Sequence, residues 1–405
     1  MQSYLLDWAN LLLRWTHVIT AIAWIGSSFY FVFLDSSLTK PVDADLKEKG
    51  VDGELWAVHG GGFYHPQKYL VAPGKLPEHL HWFYWESYST WISGFSLFTV
   101  LYLFNASTFL VDKSVHDWSA GAAVAAALGF LVGFWILYDV ICRVLGEKDG
   151  KVGGDAKVGL AVVVVVVGAA WAACQLFAGR AAFLLLGAML ATAMSANVFF
   201  WIIPGQRKVV AQMRAGQPVD PILGQRGKQR SVHNTYFTLP VLVAMISNHY
   251  GWLYEGRWRW VVIFMLMLAG ALIRHSFVAR HKALVEGRRV PWEYAGAGVI
   301  LVILVVAMLV PSPPPAPSSP PAPTGPVTFA EVKAVLERRC VLCHNAQVQN
   351  KGVMLHTPEL VKANAQRVYQ QAVVLRTMPL NNATQITDAE RAVIKRWVDE
   401  GAPVD

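Results

Sequence analysis

Charge is thin in this chain, and cysteine is scarcer still. Of 405 residues only 15% are charged while 54% are hydrophobic, a balance that excludes a single soluble globule and describes a membrane protein. Four cysteines are too few for a disulfide framework, and Cys142 and Cys174 stand in apolar stretches where a free thiol acts as a small buried hydrophobe. No G-x-S-x-G follows His59-Gly60-Gly61-Gly62, so hydrolase chemistry has no nucleophile. The glycines from Gly146 to Gly154 lack the strand-to-helix context of a nucleotide site. A formal charge of +8 does not point to nucleic acid, because the Lys and Arg residues lie between hydrophobic runs, where they report orientation. The first apolar run has no small-residue cleavage site and is too long for a signal peptide; it reads as a retained helix.

What the chain has in quantity is apolar sequence. Runs able to cross ~30 Å of hydrocarbon as helices of ~20 residues occur near 9–34, 85–106, 119–142, 158–178, 181–203, 233–253, 258–279 and 294–310. The expected fold is therefore all-α: a polytopic bundle of about eight transmembrane helices over 1–310, followed by a small all-α domain. If the amino terminus is outside, the inner connections carry nineteen Lys and Arg, among them Lys68, Arg143, Lys208, Arg226 and Arg280, and the outer ones only Lys113, Arg180, Arg257 and Arg259. Positive-inside bias favours that topology and leaves the carboxyl terminus outside as well.

The carboxyl-terminal part carries the most specific motif. Cys340-Val341-Leu342-Cys343-His344 has the spacing that attaches a c-type haem, with the cysteines as thioether anchors and the adjacent imidazole as proximal ligand. Met378, in Arg376-Thr377-Met378-Pro379, is placed to supply the sixth ligand, with Met354 as competitor. Covalent haem attachment in bacteria takes place on the outer side of the cytoplasmic membrane, which agrees with the charge bias. Residues 327–405 are read as a cytochrome c domain, with helices over Thr328–Arg339 and Asp388–Glu400; Ala392, Val393, Ile394, Trp397 and Val398 are the expected packing surface of the second. Between bundle and domain, Pro311 to Pro326 holds nine prolines in sixteen residues, a polyproline tether of ~50 Å reach on which the domain is expected to swing.

A fused electron acceptor implies a donor inside the bundle. Intramembrane polar residues sort by depth into two layers. The outer one holds His17 and His249, candidate ligands of one b-type haem, with Arg14 one turn from His17 to pair a propionate. The inner one holds His81, Glu86, His233, Asn234, Arg274 and His275, and can bind a second haem, a metal or a polar substrate. The loop from His59 to His65 mixes histidine and aromatics too densely for a solvated connector. Asp139 pairs with Arg143 at i+4.

These same segments carry a resemblance. Arg14-Trp15-Thr16-His17 through Ala23-Trp24-Ile25-Gly26-Ser27-Ser28, the loop around Gly60 to His65, Trp85-Glu86-Ser87-Tyr88, His233-Asn234-Thr235-Tyr236-Phe237-Thr238-Leu239-Pro240 through Asn248-His249-Tyr250, and the fused CxxCH unit together resemble the bacterial membrane-bound urate hydroxylases with a carboxyl-terminal cytochrome c. The resemblance implies oxidation of urate with water to 5-hydroxyisourate, two protons and two electrons. The electrons would leave through haem c to a periplasmic or membrane acceptor such as a soluble cytochrome or a terminal oxidase. It implies a multi-pass protein of the inner membrane. The resemblance assigns no urate residues; from the inner layer itself, urate is expected between aromatic faces, held by Arg274 and a His or amide group, with Glu86 or one of His81, His233 and His275 as base. A quinol-oxidising enzyme and a partner-dependent electron-transfer cytochrome are the alternatives.

Overall fold

The computed structural model describes residues 2–69, 73–254, 256–310, 327–346, 352–382 and 384–404; the proline-rich stretch 311–326 lies outside them. Helices stand at all eight expected runs. They are α1 (Gln2–Ser37), α2 (Trp85–Phe98, continued by a π-helical turn to Leu103), α3 (Ala120–Gly146), α4 (Asp155–Leu176), α5 (Gly179–Ala196), α7 (Pro221–Ile246), α8 (Arg259–Val285) and α9 (Trp292–Met308). Through a second π-helical turn, Asn197–Ile202, α5 runs on into α6 (Ile203–Arg214). Among the described residues, five of these segments are both long and apolar enough to cross a bilayer: α1, α3, α4, α5 with α6, and α8. The chain is a membrane protein. Helix α9, at 17 residues, is apolar but shorter, while α2 and α7 carry the polar groups of the inner layer.

Helix α7 starts twelve residues before the sixth apolar run because Asp220 caps it, its carboxylate accepting the Ile222 amide at 3.0 Å, with Pro221 in the first turn. Strands interrupt the helical fold in only two of the described connections. In the first long loop, Val51–Glu54 pairs with Gln67–Tyr69, and Ala57–His59 with Gly62–Tyr64 across a turn at Gly60 and Gly61. Both glycines have positive φ, which a side chain would strain. Here His65 stacks on Trp56 at 4.0 Å and meets Glu54 at 2.6 Å, so part of the dense His and aromatic content builds a hairpin. A two-residue pair joins Glu147–Lys148 to Lys151–Val152.

The bundle is organised around α5, whose Phe183, Leu185, Leu186 and Met189 are fully buried against α3, α4 and α7. Helix α1, by contrast, keeps Tyr4, Trp8, Leu11, Trp15 and Ile22 exposed, the apolar outer surface of a helix in lipid.

The carboxyl-terminal unit has its own core. Helix α10 (Phe329–Arg339) contributes Val332 and Leu336, and α12 (Asp388–Asp399), which follows the short α11 (Pro358–Ala363), contributes Ile394 and Trp397. Both α10 and α12 begin in complete capping boxes, Thr328 with Glu331 and Thr387 with Glu390. Val393 and Val398 pack at the edge of this core, but Ala392 is exposed. The inward position belongs to Arg391, whose guanidinium bonds the carbonyls of Ala372 and Met378. The unit does not hang free. Leu380–Asn382 packs on Ala106–Phe109, and the backbone of Gly251 touches the loop before Met378 so closely that a Cβ there would lie 3.2 Å from the Leu375 carbonyl and 3.9 Å from Thr377 Cγ2.

Candidate functional site

Midway along α1, His17 packs on α2 where Gly94 leaves room; a Cβ on Gly94 would lie 2.7 Å from the imidazole. Its Nδ1 lies 3.1 Å from the Thr90 carbonyl and 3.3 Å from Ser93 Oγ. A carbonyl can only accept, so the proton sits on Nδ1 and Nε2 keeps its lone pair, the tautomer a metal ligand needs. His249 is exposed in the 3-10 turn that ends α7, next to Asn248, whose Oδ1 accepts from Tyr102 at 2.9 Å and Arg180 at 3.2 Å. Among the described residues no hydrogen bond joins His17 to His249. Arg14 is exposed and its guanidinium turns back to Asn10 at 3.4 Å.

The inner layer divides in two. Between α3, α5 and α7, the buried carboxylate is fully paired, although Arg230 Nη1 and Asn197 Oδ1 have no hydrogen-bond partner. Asp139 accepts from Arg230 at 2.8 Å and from Trp201 at 2.7 Å and forms an ion pair with Arg143. Arg230, 2% exposed, lies over the rings of Tyr138 and Trp201. Beside it a chain of hydrogen bonds runs from Asn234 to the Met194 carbonyl at 3.1 Å, from Asn197 to Asn234 Oδ1 at 2.9 Å and to Tyr138 at 3.0 Å, and between Tyr138 and His233 Nδ1 at 2.8 Å.

On the other side, around α1, α2 and α8, charged groups are buried without partners. Arg274 is 9% exposed, its guanidinium lies 3.6 Å over the Phe29 ring, and Nε and Nη2 have no hydrogen-bond partner. Glu86 Oε2 is likewise buried and unbonded. Helix α1 touches both neighbourhoods on different faces: Phe29 carries Arg274, and Phe31, two residues on, packs on Phe83 at 4.9 Å, three residues before Glu86. Ser87, next along α2, bonds Ser195 of α5 at 3.1 Å. His275 meets the Tyr236 hydroxyl at 2.9 Å and the Tyr294 ring at 4.4 Å. His81 is exposed ahead of α2, edge-on to Phe83, and so stands apart from these buried groups. A buried unpaired polar atom costs about 1–3 kcal/mol, more when charged, which makes Glu86 and Arg274 candidates to meet a polar ligand, one as acceptor and the other as donor.

In the carboxyl-terminal unit, Cys340 to His344 closes a helical turn, with the Cys343 and His344 amides both donating to the Cys340 carbonyl at 3.1 Å. Cys343 is exposed, and burial pushes the Cys340 thiol up to about 11. His344 repeats the geometry of His17: Nδ1 donates to the Val353 carbonyl at 3.1 Å and leaves Nε2 with its lone pair. Leu342, Val374 and Leu375 are apolar side chains left uncovered around this turn and the Met378 loop. The donor set and the apolar surface therefore fit a covalently held haem.

A family model described as urate oxidase N-terminal matches residues 3–310. The chain belongs to that family. It is a urate-related oxidoreductase of the membrane, and the matched segment contains both polar layers but stops before the CxxCH unit. No curated protein and no solved structure matches the chain. Sequence reading missed Phe29, Tyr138, Asn197, Arg230 and Arg391. A polar Asn197 inside an apolar run was a signal for one of them; the others disclose their roles only through partners far away in sequence.

Proposed function

We propose that this protein oxidises urate to 5-hydroxyisourate on the inner side of the bundle and delivers the electrons to its own carboxyl-terminal haem. The overall change is urate plus water giving 5-hydroxyisourate, two protons and two electrons. The observation that carries the reading is the set of buried atoms without a hydrogen bond, Glu86 Oε2 and Arg274 Nε and Nη2, inside a segment that belongs to the urate oxidase N-terminal family. Arg274 offers two N–H groups to the carbonyl and ring-nitrogen edge of the urate anion. Phe29 holds the guanidinium from behind, and Glu86 takes the proton from the attacking water.

For the electron path, His17 and His344 each present an unprotonated Nε2 as an iron ligand. A b-type haem at His17, with His249 as candidate second ligand and Arg14 toward a propionate, would lie toward the end of the bundle where the Met378 loop rests. Haem supplies one-electron chemistry that separates the two-electron oxidation of urate from a one-electron acceptor. Met378 is favoured over Met354 as sixth ligand. Val353 and Leu355 are both hydrogen-bonded to His344, which ties Met354 to the His344 backbone, whereas Arg391 fixes the Met378 carbonyl. The acceptor is then a periplasmic or membrane partner, a soluble cytochrome or a terminal oxidase, reached through the exposed Cys343 edge. The positive-inside charge distribution supports an inner-membrane protein with the amino terminus and haem c domain in the periplasm.

The test is anaerobic addition of urate to the purified protein while haem spectra are recorded. Reduction of a c-type band is expected, with a b-type band in a pyridine haemochrome of the same sample. Absence of any urate-dependent reduction overturns the reading, and absence of b-type signal removes the roles of His17 and His249.

A further inference from the structure

A cavity of about 480 Å³ opens between α4, α5, α7 and α8, away from Glu86 and Arg274. Val158, Val162, Val163 and Val166 form one wall and Phe264 and Met267 another, while polar groups gather at one end, where Asp155 and Gln229, bonded to each other at 2.8 Å, stand with Gln225, Lys228 and His233. Pro240, inside α7, explains part of the space: it has no N–H to give the Tyr236 carbonyl one turn back, and the helix is loosened there. Val163 and Val232 line the cavity and are 38% and 41% exposed, so it opens sideways, toward lipid.

A hydrogen-bond chain beside it ends on His233 Nδ1 and leaves Nε2 toward the cavity. The Met194 carbonyl can only accept, so Asn234 turns its amide nitrogen there and its oxygen to Asn197. Asn197 therefore turns its nitrogen to both Asn234 and Tyr138. Tyr138 accepts from Asn197, and its hydroxyl proton is available to His233 Nδ1, which also lies 3.8 Å from Cys142 Sγ; in that tautomer neutral His233 carries its own proton on Nε2. A hydrogen-bond donor thus stands in an apolar cavity, five residues and roughly 7 Å further along α7 than Lys228.

That arrangement selects among ligands. Urate is polar on every edge and would leave several groups unmet against valine at about 1–3 kcal/mol each. A phospholipid phosphate would stop at Lys228 and leave the His233 N–H without an acceptor. We propose that the cavity binds a lipid-soluble quinone, one ring carbonyl accepting from His233 Nε2 and the other facing Lys228, with the tail along the valines of α4 toward the bilayer. This assignment is independent of the urate reading.

The test is equilibrium binding of decylubiquinone to the purified full chain in detergent, with His233→Leu and Val163→Trp. Saturable binding of one quinone per chain is expected, weakened about tenfold by loss of the carbonyl hydrogen bond in His233→Leu. Val163→Trp, on the exposed lip where a large side chain is tolerated, abolishes binding and leaves urate oxidation unchanged. No saturable binding overturns the proposal. So does wild-type affinity in both variants, or displacement of the quinone by phosphatidylglycerol with no effect of His233→Leu, which makes this a phospholipid site.

Discussion

The two halves of the inner polar layer hold similar residues at similar depth and treat them oppositely. Around Asp139 opposite charges meet: two arginines and an indole N–H converge on one carboxylate, and only Nη1 of Arg230 is left without a hydrogen bond. Around Phe29, Arg274 and Glu86 keep buried atoms with no partner. A desolvated charge is tolerated in a bundle when it is fully paired, and retained unpaired when a ligand completes it. On the proposed reading, the difference separates charges that hold helices together from charges that await a substrate.

The sharpest way to break that contrast is to neutralise the unpaired side. Glu86→Gln or Arg274→Leu is expected to lower kcat/KM for urate by about 10²–10⁴-fold while the thermal midpoint in detergent holds or rises, since a desolvated charge is removed. Turnover at the wild-type rate would end the assignment. The paired side should respond in stability instead: Asp139→Leu strands Arg230 and costs about 3–5 kcal/mol, and the double variant Asp139→Leu with Arg230→Leu recovers much of it. Denaturant unfolding reads this directly, and an unaltered midpoint in the single variant would refute the structural role. Within the neutral network, Tyr138→Phe removes the partner of both Asn197 and His233 at about 1–3 kcal/mol, to be read in the same unfolding assay.

The smallest effects belong to the carboxyl-terminal unit. Thr387→Ala removes one cap and costs about 1 kcal/mol in thermal unfolding. Burial by itself would raise the carboxyl of Glu390, but hydrogen bonds from Thr387 and Arg339 outweigh it and hold the group below the usual carboxylate range. Its contribution is complete above about pH 4.3 and is lost as pH falls through the lower folded value. Acid unfolding of this unit should therefore shift to higher pH in Glu390→Gln, and an unchanged acid transition would show that the cap is not coupled to folding.

Local spacing made part of this molecule legible in advance. The turn at Cys340–His344 is five consecutive residues, Asp139 and Arg143 are one helical turn apart, and the eight apolar runs match eight helices because run length alone specifies them. The partner of Asp139 was hidden because Arg230 lies 91 residues away, and Phe29 under Arg274 belongs to the other end of the bundle in sequence. Ala392 was expected inside because it is small and apolar, but the Met378 loop needs a long donor to bond its carbonyls, and Arg391 took the inward position. His249 was expected within a spanning helix and instead follows its end, because capping at Asp220 starts α7 early and the helix stops at Ile246.

The π-helical turn at Asn197–Ile202 places one surplus residue in the coil of a continuous rod. Removing a single residue there would bring the rod back into α-helical phase and rotate everything downstream by about 100°. Trp201 would swing away from Asp139 while Asn197 kept its place, so the winding of this one stretch decides whether the ion cluster and the amide network can exist on the same helix at once.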